Sequence, residues 1–332
     1  MNYTVLMTND CNMSCLYCYE KNKKKQSISY DSIKAVVKFI ENTKINENKL
    51  VIHGGEPLLE FRKIQYFINE LNKIKNNSKF ELYITTNATL LDEISAKFLK
   101  ENFDRISFSL DGSRNSHNNN RIFCNGQGTY DLVVENIKKF FKNDLDVITA
   151  RMTVNEKNVS DLSENIFHLI GLGFKKISPV VDQFGEWNEK DILELKSEFL
   201  KVIENAEYDS RNVDLGFIKD ALYKCQNSKC NGGVTTFTIN TDGRIYPCIV
   251  ANGLDQFCIG DVEYGIDAQK RDSILKYSYQ ENFCCIGCGR YDYCEATRCK
   301  LINKIQTDYW NIPSLNICKI ENLKVDLAKK FL

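Results

Sequence analysis

The sequence predicts an α/β fold, a partial (β/α)6 TIM-like barrel followed by a small cysteine-rich C-terminal domain. From residue 3 to about residue 181, short β-branched runs alternate with longer segments of helical period, which is the pattern of βα units around a parallel sheet. A complete eight-unit barrel needs about 250 residues. Cysteines and turn pairs replace the βα pattern before that length is reached, so we expect an incomplete barrel.

The elements follow in order along the chain. We predict strands near residues 3–7, 49–53, 80–85, 105–109, 147–154 and 175–181, separated by helices at 30–43, 62–76, 91–101, 129–142 and 159–171. The pattern of residues 189–206 predicts a further amphipathic helix whose apolar side includes Leu193, Leu195 and Phe199. We therefore divide the chain into a partial barrel at 1–188, a bridging helical segment at 189–224 and a cysteine-rich, cluster-binding domain at 225–332.

The charge balance argues against two classes of partner. Lys plus Arg and Asp plus Glu both number 44, so no overall basic field favours nucleic acid or an anionic membrane. The sequence lacks a signal peptide and an apolar stretch of the roughly 20 residues that cross a bilayer. We expect a cytoplasmic protein, in which fourteen cysteines favour metal sites over disulfides.

Three cysteines lie in one short loop directly after the first predicted strand. Cys11, Cys15 and Cys18 have the spacing Cys-x3-Cys-x2-Cys, and the carboxyl end of a strand is where βα folds carry their chemistry. Three thiolates ligate three irons of a [4Fe–4S] cluster and leave the fourth iron open to a small molecule. A structural zinc ion is the alternative, but neither His nor Cys follows within the next thirty residues as a fourth ligand.

This spacing resembles the signature of the radical S-adenosylmethionine (SAM) family, in which the open iron binds SAM and an electron cleaves it to a 5′-deoxyadenosyl radical. Four segments at strand ends resemble the family in the same order: Gly54-Gly55-Glu56-Pro57, Thr86-Asn87-Ala88, Ser109-Leu110-Asp111-Gly112 and Arg151-Met152-Thr153-Val154. The resemblance implies SAM contacts from Tyr17, Gly54, Gly55, Glu56, Asn87, Ser109, Asp111 and Arg151. His117 and Arg121 either face this site or form a surface pair.

The downstream cysteines resemble the SPASM extension of radical SAM enzymes, which carries two auxiliary clusters, so the resemblance implies three [4Fe–4S] clusters in all. It assigns Cys225, Cys230, Cys248 and Cys299 to auxiliary cluster I, and Cys285, Cys288, Cys294 and Cys318 to auxiliary cluster II. Four residues separate Cys294 from Cys299, where relatives usually have three. Zinc sites are the alternative for these residues. We expect Cys124, Cys258 and Cys284, which are left over, to be buried thiols.

SPASM-bearing relatives mostly modify peptides or proteins. The resemblance therefore implies a radical SAM oxidoreductase that abstracts a hydrogen from a ribosomally made peptide and installs a thioether or carbon–carbon crosslink or a related modification. The alternative within the family is an anaerobic sulfatase-maturating, formylglycine-forming enzyme, in which an aspartate base follows the cysteine matching Cys248. Here Ile249 occupies that place. No catalytic base is evident, and Asp182, Glu186 and Glu189 are candidates or merely solvated charges.

The resemblance also implies partners. We expect a reducing partner such as flavodoxin or ferredoxin. Because the first strand begins almost at Met1, we expect that a leader peptide is recognised by the barrel face or by a separate leader-binding protein. The alternatives of another class are a non-catalytic iron–sulfur electron-transfer protein and a zinc-organised interaction module.

Overall fold

The computed structural model describes residues 1–18, 24–74, 78–205, 213–219, 230–291 and 294–330. In chain order the strands are β1 (Asn2–Leu6), β2 (Glu47–His53), β3 (Lys79–Thr86), β4 (Arg105–Ser109), β5 (Thr149–Val154), β6 (Lys176–Val181), β7 (Asp214–Leu215), β8 (Thr236–Ile239), β9 (Arg244–Tyr246), β10 (Gly260–Asp261) and β11 (Gly265–Ile266). The α-helices are α1 (Tyr30–Asn42), α2 (Phe61–Ile74), α3 (Glu93–Asn102), α4 (Arg114–Asn120), α5 (Tyr130–Phe141), α6 (Leu162–Gly171), α7 (Glu189–Glu204), α8 (Gly216–Lys219), α9 (Ala268–Leu275), α10 (Lys300–Thr307) and α11 (Leu315–Ala328).

The predicted α/β fold is confirmed. Each of the six predicted strands begins and ends within two residues of its expected position, and the predicted helices correspond to α1, α2, α3, α5, α6 and α7. The sequence did not predict α10 and α11, because the cysteines and turn residues of this region obscured the helical spacing of their apolar residues. The predicted apolar side of α7 is only partly correct. Leu193, which was expected on that side, is 67% exposed, whereas Glu198 is buried.

The chain forms two compact units. Unit 1 comprises Met1–Ser109, Asn120–Lys142 and Asn231–Leu275. Its strands lie in the order β11-β10-β9-β8-β1-β2-β3-β4; β8, β1, β2, β3 and β4 run parallel, and β9 to β11 add antiparallel pairs at the β8 side.

One face of the unit 1 sheet is apolar and covered by helices. The Tyr3 ring stacks on Phe237 at 5.8 Å and meets Phe39 of α1 edge-on at 6.2 Å, while Phe108 of β4 meets Phe141 of α5 at 5.0 Å. Because successive side chains of a strand alternate between faces, the residues between these rings project from the opposite face. The core of unit 1 therefore lies between the sheet and its helices.

Local capping explains where several helices begin. The Ser29 hydroxyl accepts a hydrogen bond from the Ser32 N–H at the start of α1, and reciprocal capping boxes open α3 at Asp92 and α7 at Asn188. A side-chain cap satisfies an N–H group that the first helical turn leaves unpaired, which stabilises a helix by about 1 kcal/mol. These caps fix the lengths of the βα connections and hence the positions of the strand ends.

Unit 2 comprises Leu110–Asn119, Asn143–Cys230 and Lys276–Leu332. Its strands β5, β6 and β7 are parallel, α8 packs against β6, and α7 packs against both α6 and α11. Among the described residues, none of the helices combines the length and the apolar character that a bilayer crossing requires.

Candidate cluster and cofactor site

Residues 7–18, which we call the cysteine loop, are held by backbone hydrogen bonds to two other segments of unit 1. The Gly55 N–H donates to the Thr8 carbonyl at 2.9 Å, just beyond the end of β2. The Ser14 N–H donates to the Ile122 carbonyl at 2.8 Å. Backbone hydrogen bonds at Thr8 and at Ser14 therefore hold the loop in position at the carboxyl end of β1.

The three thiols of this loop are partly exposed. Burial raises the pKa of Cys11 to about 12, a hydrogen bond from the Met13 N–H opposes this, and the negative charges of Glu56, Cys15 and Cys18 raise it further. A bound metal reverses such a shift, because a coordinating thiol is deprotonated outright. The donor set therefore fits a cationic centre with thiolate ligands.

The three thiols are not grouped as the ligands of a single ion are. In the part of the chain that the structure describes, no three His, Cys, Asp or Glu side chains converge on one point. The assignment of a [4Fe–4S] cluster to this loop therefore rests on the cysteine spacing and stays a prediction.

The two glycines after β2 allow the cysteine loop to approach closely. A Cβ atom at Gly55 would collide with the carbonyl of Asp10, and one at Gly54 would collide with the carbonyl of Thr8. Gly54 also has a φ of 148°, which favours glycine. The structure thus gives both residues a packing role beneath the loop, and a direct contact with SAM stays a prediction.

The Glu56 carboxylate connects the end of β2 to the end of β3. Glu56 is only 1% exposed, and its oxygens accept hydrogen bonds from the Thr86 hydroxyl and the Asn87 N–H, both at 2.7 Å, and from the Leu58 N–H at 3.0 Å. Burial raises the pKa of Glu56 to about 7, although these three donors oppose the shift. Glu56 therefore fixes the geometry of two strand ends beside the cysteine loop.

An amide network then joins β3 to the cysteine loop. The Asn87 Nδ2 donates to Asn12 Oδ1 at 2.9 Å and lies 3.9 Å from the Cys11 sulfur, while the Asn12 Nδ2 donates to the Thr89 hydroxyl at 2.8 Å. Asn87 was predicted at this site, but Asn12 and Thr89 were not. Their only signal in the sequence is that they adjoin a cysteine and a predicted strand end.

Tyr17 lies next to a second predicted residue of unit 1. The guanidinium carbon of Arg121 is 5.3 Å from the centre of the Tyr17 ring, within the range of a cation–π contact. Arg121 is buried, and its carbonyl accepts a hydrogen bond from the Thr129 hydroxyl at 2.8 Å. Of the two expectations for Arg121, the structure excludes a surface pair and places it against the cysteine loop.

The remaining predicted SAM contacts divide between the units. Ser109 is half-buried at the end of β4 in unit 1, and Arg151 is exposed on β5 in unit 2. Asp111 of unit 2 is fully buried, and its carboxylate accepts a hydrogen bond from the Thr153 N–H at 3.0 Å. His117 is buried as well and its Nδ1 accepts from the Asp111 N–H at 3.3 Å, so neither residue is a surface charge.

The acids considered as bases lie after β6 and differ in environment. Burial raises the pKa of Asp182, and the charge of Glu156 adds to the shift. Glu186 is exposed, and the exposed Glu189 pairs with Lys319 at 3.1 Å. Of these three acids, only Asp182 is therefore in an environment that differs from that of a solvated loop.

Charge interactions link four downstream cysteines of unit 2 in pairs. Burial raises the pKa of Cys285 to about 12 and that of Cys294 to about 11, and neighbouring thiols act in the same direction: Cys294 on Cys285, and Cys318 on Cys294. Burial also raises the pKa of Cys318, and Cys288 adds to it. Cys285, Cys288, Cys294 and Cys318 are the four thiols expected to hold auxiliary cluster II. The neighbouring Cys284 is not one of them.

Ionic contacts hold the segments that carry these thiols. Arg290 donates to the Asp326 carboxylate of α11 through two nitrogens, Nη2 at 2.7 and 2.9 Å and Nε at 3.2 Å, and the Glu295 N–H donates to the Glu321 carboxylate at 2.8 Å. The bidentate geometry of the first contact is the stronger kind of ion pair. Helix α11 is therefore the main element against which this segment is ordered.

A buried cation accompanies the same thiols. Lys300 is 3% exposed; its ammonium donates to the Gln280 carbonyl at 2.9 Å and to the Asn282 side chain. Burial lowers the pKa of Lys300, whereas the charge of Cys285 opposes that shift. The burial of Lys300 could not be predicted, because a lysine after a cysteine is usually solvated.

The thiols expected to hold auxiliary cluster I are less completely described. Cys225 lies outside the described residues. Cys230 and Cys299 belong to unit 2, where Cys299 immediately precedes α10, and Cys248 belongs to unit 1, where it precedes the turn Ile249–Ala251.

The expectation for the leftover cysteines was wrong. Cys124 and Cys284 are exposed, and Cys258 is intermediate. Cys124 lies in the turn between Ile122 and Gly128, and its thiol approaches the Cys11 carbonyl at 3.9 Å. Turns place side chains at the surface, which overrides the general tendency of free cysteine to be buried.

Comparison with known proteins adds an independent result. A sequence model described as the radical SAM superfamily matches residues 5–169. An uncharacterised protein of Methanocaldococcus jannaschii is 30% identical over 273 residues, covering 79% of this chain and 89% of that protein. A cysteine-type anaerobic sulfatase-maturating enzyme of Clostridium perfringens strain 13 is 24% identical over 322 residues, covering 87% of this chain and 86% of the enzyme.

Solved structures share the fold. The enzyme anSMEcpe with bound AdoMet and the Cp18Cys peptide superposes with a TM-score of 0.84 at 20% identity, covering 99% of this chain and 97% of that one. Streptococcus suis SuiB bound to its precursor peptide SuiA superposes with a TM-score of 0.67 at 16% identity, covering 96% and 75%.

Proposed function

This chain belongs to the radical SAM superfamily, and we propose that it is a maturase that uses SAM to modify a peptide or protein. Radical SAM proteins bind a [4Fe–4S] cluster and SAM. The observation that carries the proposal is the cysteine loop, whose three thiols lie at the carboxyl end of β1 and are joined to the ends of β2 and β3 through Glu56 and Asn87. An electron carrier would have no need of this support around an open iron.

Cys11, Cys15 and Cys18 would hold the SAM cluster, which when bound supplies the electron that cleaves SAM. The residues proposed to bind SAM are Tyr17, Gly54, Gly55, Glu56, Asn87, Ser109, Asp111 and Arg151. Arg151 is exposed on β5, and its guanidinium would pair with the SAM carboxylate in bidentate fashion. Glu56 and Asp111 are buried and accept hydrogen bonds from backbone N–H groups, so their share in SAM binding would be indirect, through the strand ends that they hold in position.

We extend the proposal to two auxiliary [4Fe–4S] clusters in the SPASM arrangement. The charge interactions that link Cys285 with Cys294, Cys294 with Cys318, and Cys318 with Cys288 support auxiliary cluster II. Auxiliary cluster I would use Cys225, Cys230, Cys248 and Cys299. The division of the chain into domains after residues 188 and 224 depends on this assignment and stays a prediction.

The proposed substrate is a ribosomally made peptide, and the proposed product is a thioether or carbon–carbon crosslink or a related modification. Support comes from the relatives: the full-length similarity extends to a sulfatase-maturating enzyme, and the fold is shared with SuiB, which binds a precursor peptide. A flavodoxin or ferredoxin would supply electrons in the cytoplasm. The leader peptide would be recognised either by the barrel face or by a separate leader-binding protein.

Sulfatase maturation is the second candidate, favoured by the three Clostridium relatives of that name at 24–26% identity. Against it stands Ile249, which follows Cys248 in the place expected for an aspartate base. Ile249 is a half-buried aliphatic side chain at the start of a short turn and cannot accept a proton. Formylglycine formation would need a base from elsewhere in the chain.

One experiment separates these candidates. The protein is reconstituted anaerobically and incubated with SAM, dithionite and either a sulfatase peptide containing the target cysteine or a cysteine-containing peptide encoded beside the gene. 5′-Deoxyadenosine and the peptide mass are measured. We expect deoxyadenosine together with a peptide that has lost two hydrogens and kept its sulfur, which is the result of a crosslink.

Loss of sulfur from the target cysteine would identify formylglycine formation and overturn the crosslinking proposal. Absence of deoxyadenosine from an iron-loaded protein would contradict the enzyme assignment altogether and leave the electron carrier. The variant Ile249→Asp is a useful addition, because a gain of formylglycine in that variant alone would show that the missing carboxylate decides between the two reactions.

A further inference from the structure

A closed ring of hydrogen bonds lies beside the cysteine loop in unit 1. The Asn87 Nδ2 donates to Asn12 Oδ1 at 2.9 Å, the Asn12 Nδ2 donates to the Thr89 hydroxyl at 2.8 Å, and that hydroxyl donates to Asn87 Oδ1 at 2.7 Å. Each member donates once and accepts once, so all three donors run in the same direction around the ring. Hydrogen bonds arranged in this way polarise and strengthen one another. We call Asn12, Asn87 and Thr89 the polar ring.

The polar ring fixes which way the Asn87 amide faces. Asn87 Oδ1 also accepts a hydrogen bond from the Thr89 N–H at 3.0 Å, and a backbone N–H can only donate. The amide oxygen is therefore on the Thr89 side, and the amide nitrogen is on the side of the cysteine loop. Because the ring uses both lone pairs of Oδ1 and one N–H of Nδ2, a single N–H of the amide remains.

The remaining N–H faces a cysteine sulfur. The Asn87 Nδ2 donates to the Cys11 sulfur at 3.9 Å, and the Met13 N–H donates to the same sulfur at 3.4 Å. Asn87 is 7% exposed, so water has little access to compete for this donor. Cys11 thus receives one hydrogen bond from its own loop and one from the end of β3.

The turn after β3 is built to hold the polar ring. Ala88, between two members of the ring, has a φ of 61°, a left-handed conformation that a residue with a Cβ atom adopts only at a cost. Asn136 of α5 supports this turn, since its Nδ2 donates to the Ala88 carbonyl at 3.0 Å and to the Thr89 carbonyl at 3.3 Å. A strained turn that a neighbouring helix holds in place indicates that the position of its side chains has a function.

We propose that the polar ring aims the Asn87 N–H at the Cys11 thiolate and thereby raises the reduction potential of the [4Fe–4S] cluster that the cysteine loop would hold. Hydrogen bonds to the sulfurs are among the factors that set the potential of such a cluster. One-electron reduction adds negative charge, so a donor to the thiolate stabilises the reduced state more than the oxidised state. Asn12 and Thr89 act through Asn87 and are positioning residues.

The inference rests on the proposed function and goes beyond it, to how the site accepts an electron from the reducing partner. The test is a redox titration of the iron-loaded enzyme without SAM, with dithionite as electron donor and the reduced cluster followed by electron paramagnetic resonance. The signal of this cluster is the one that disappears when Cys11, Cys15 and Cys18 are all replaced by Ala. In Asn87→Ala we expect the ratio of reduced to oxidised cluster at a fixed potential to fall about ten-fold, a shift of about 59 mV for a one-electron couple.

The positioning residues have their own variants. Asn12→Ala and Thr89→Val break the ring but leave Asn87 in place, so each should lower the same ratio by less than Asn87→Ala does. Thr89→Ser keeps the hydroxyl and is the matched control for the isosteric Thr89→Val. Asn125→Ala removes an exposed amide from the turn between Ile122 and Gly128. Thr89→Ser and Asn125→Ala should leave the ratio unchanged.

Two results would overturn the inference on the potential alone: an unchanged ratio in Asn87→Ala, or an equal fall in Thr89→Ser and Thr89→Val. SAM affinity is measured by calorimetry on the same proteins. If Asn87→Ala weakened SAM binding while the potential without SAM stayed that of the native protein, the remaining N–H would serve SAM and not Cys11, and the inference would again be wrong.

Failure here remains distinct from failure of the proposed function. A native protein without any signal that depends on Cys11, Cys15 and Cys18 would overturn both. A native protein that has this signal and cleaves SAM to 5′-deoxyadenosine, but whose potential is insensitive to Asn87 and Thr89, would keep its assignment as a radical SAM enzyme. It would lose only the role of the polar ring.

Discussion

The two groups of cysteines differ in what holds them in place. The cysteine loop is attached to the ends of β2 and β3 by backbone and buried carboxylate hydrogen bonds. In the second group, Cys318 lies on the well-packed α11, whereas Cys285 and Cys288 lie in residues 281–291, where Phe283 and Ile286 are exposed and Arg290 contacts Asp326 of α11. The first site is thus built by the sheet, whereas the second depends on a segment, residues 281–291, with little apolar packing of its own.

This difference has a thermodynamic consequence. Small cysteine-rich segments commonly gain their order from bound metal, because they bury too little apolar surface to offset the entropy of ordering. Surface ion pairs add only about 0–1 kcal/mol each. Metal should therefore be needed for chemistry in the first region and for folding in the second, and four experiments test that contrast.

The largest effect should come from replacing Cys11, Cys15 and Cys18 together by Ala. We expect about twelve irons per chain to fall to about eight, as one [4Fe–4S] cluster is lost, and SAM cleavage to disappear entirely. The free energy of unfolding should change by less than about 1 kcal/mol, because partly exposed side chains contribute little. Iron analysis, deoxyadenosine assay and denaturant titration measure the three quantities.

The matched control is Cys124→Ala, whose exposed thiol lies beside the same loop. It should leave iron content and SAM cleavage unchanged. If the native protein contained only about four irons per chain, the assignment of the first site would be retained and both auxiliary clusters would be withdrawn.

Replacing Cys285, Cys288, Cys294 and Cys318 together by Ala should lower the iron content by the same amount but act mainly on folding. We expect SAM cleavage without substrate to persist, while residues 276–330 become sensitive to protease and the chain loses several kcal/mol of stability. Limited proteolysis with mass mapping locates the cleavage. Protection equal to that of the native protein would contradict the contrast between the two regions.

The same contrast explains how far the sequence could predict the structure. Apart from the short α4, the strands and helices up to α7 could be predicted because their hydrophobic period is regular, and Asn87 was found because Thr86-Asn87-Ala88 resembles a segment of the family. Asn12, Thr89 and Lys300 could not be found, since their partners are distant in sequence or are other polar side chains. Helix α11 was missed because it buries residues around most of its circumference and so has no single apolar stripe, and α10 because it is only eight residues long.

A third, smaller effect is expected at Glu56, which tests whether the first site is built by hydrogen bonds. Glu56→Ala leaves three donors without an acceptor, including the buried Thr86 hydroxyl and Asn87 N–H, and each such group costs about 1–3 kcal/mol. We expect a loss of about 3 kcal/mol in stability together with weaker SAM binding. Glu56→Gln keeps one acceptor oxygen and should lose less than half as much.

Thermal unfolding followed by circular dichroism, and SAM binding by calorimetry, measure these effects. If Glu56→Ala lowered SAM affinity without any loss of stability, Glu56 would act as a direct ligand and not as a link between β2 and β3.

The smallest effect should come from the ion pair of the second region. Asp326→Asn removes the charge that Arg290 contacts at 2.7 and 2.9 Å, and both side chains are partly exposed. In the iron-loaded protein we expect a loss of no more than about 1 kcal/mol, because the cluster would hold the segment. In the protein stripped of iron by a chelator, the same substitution should accelerate proteolysis of residues 276–330, since the ion pair is then one of the few remaining contacts with α11. An equal effect in both states would show that the fold, and not the metal, orders this region.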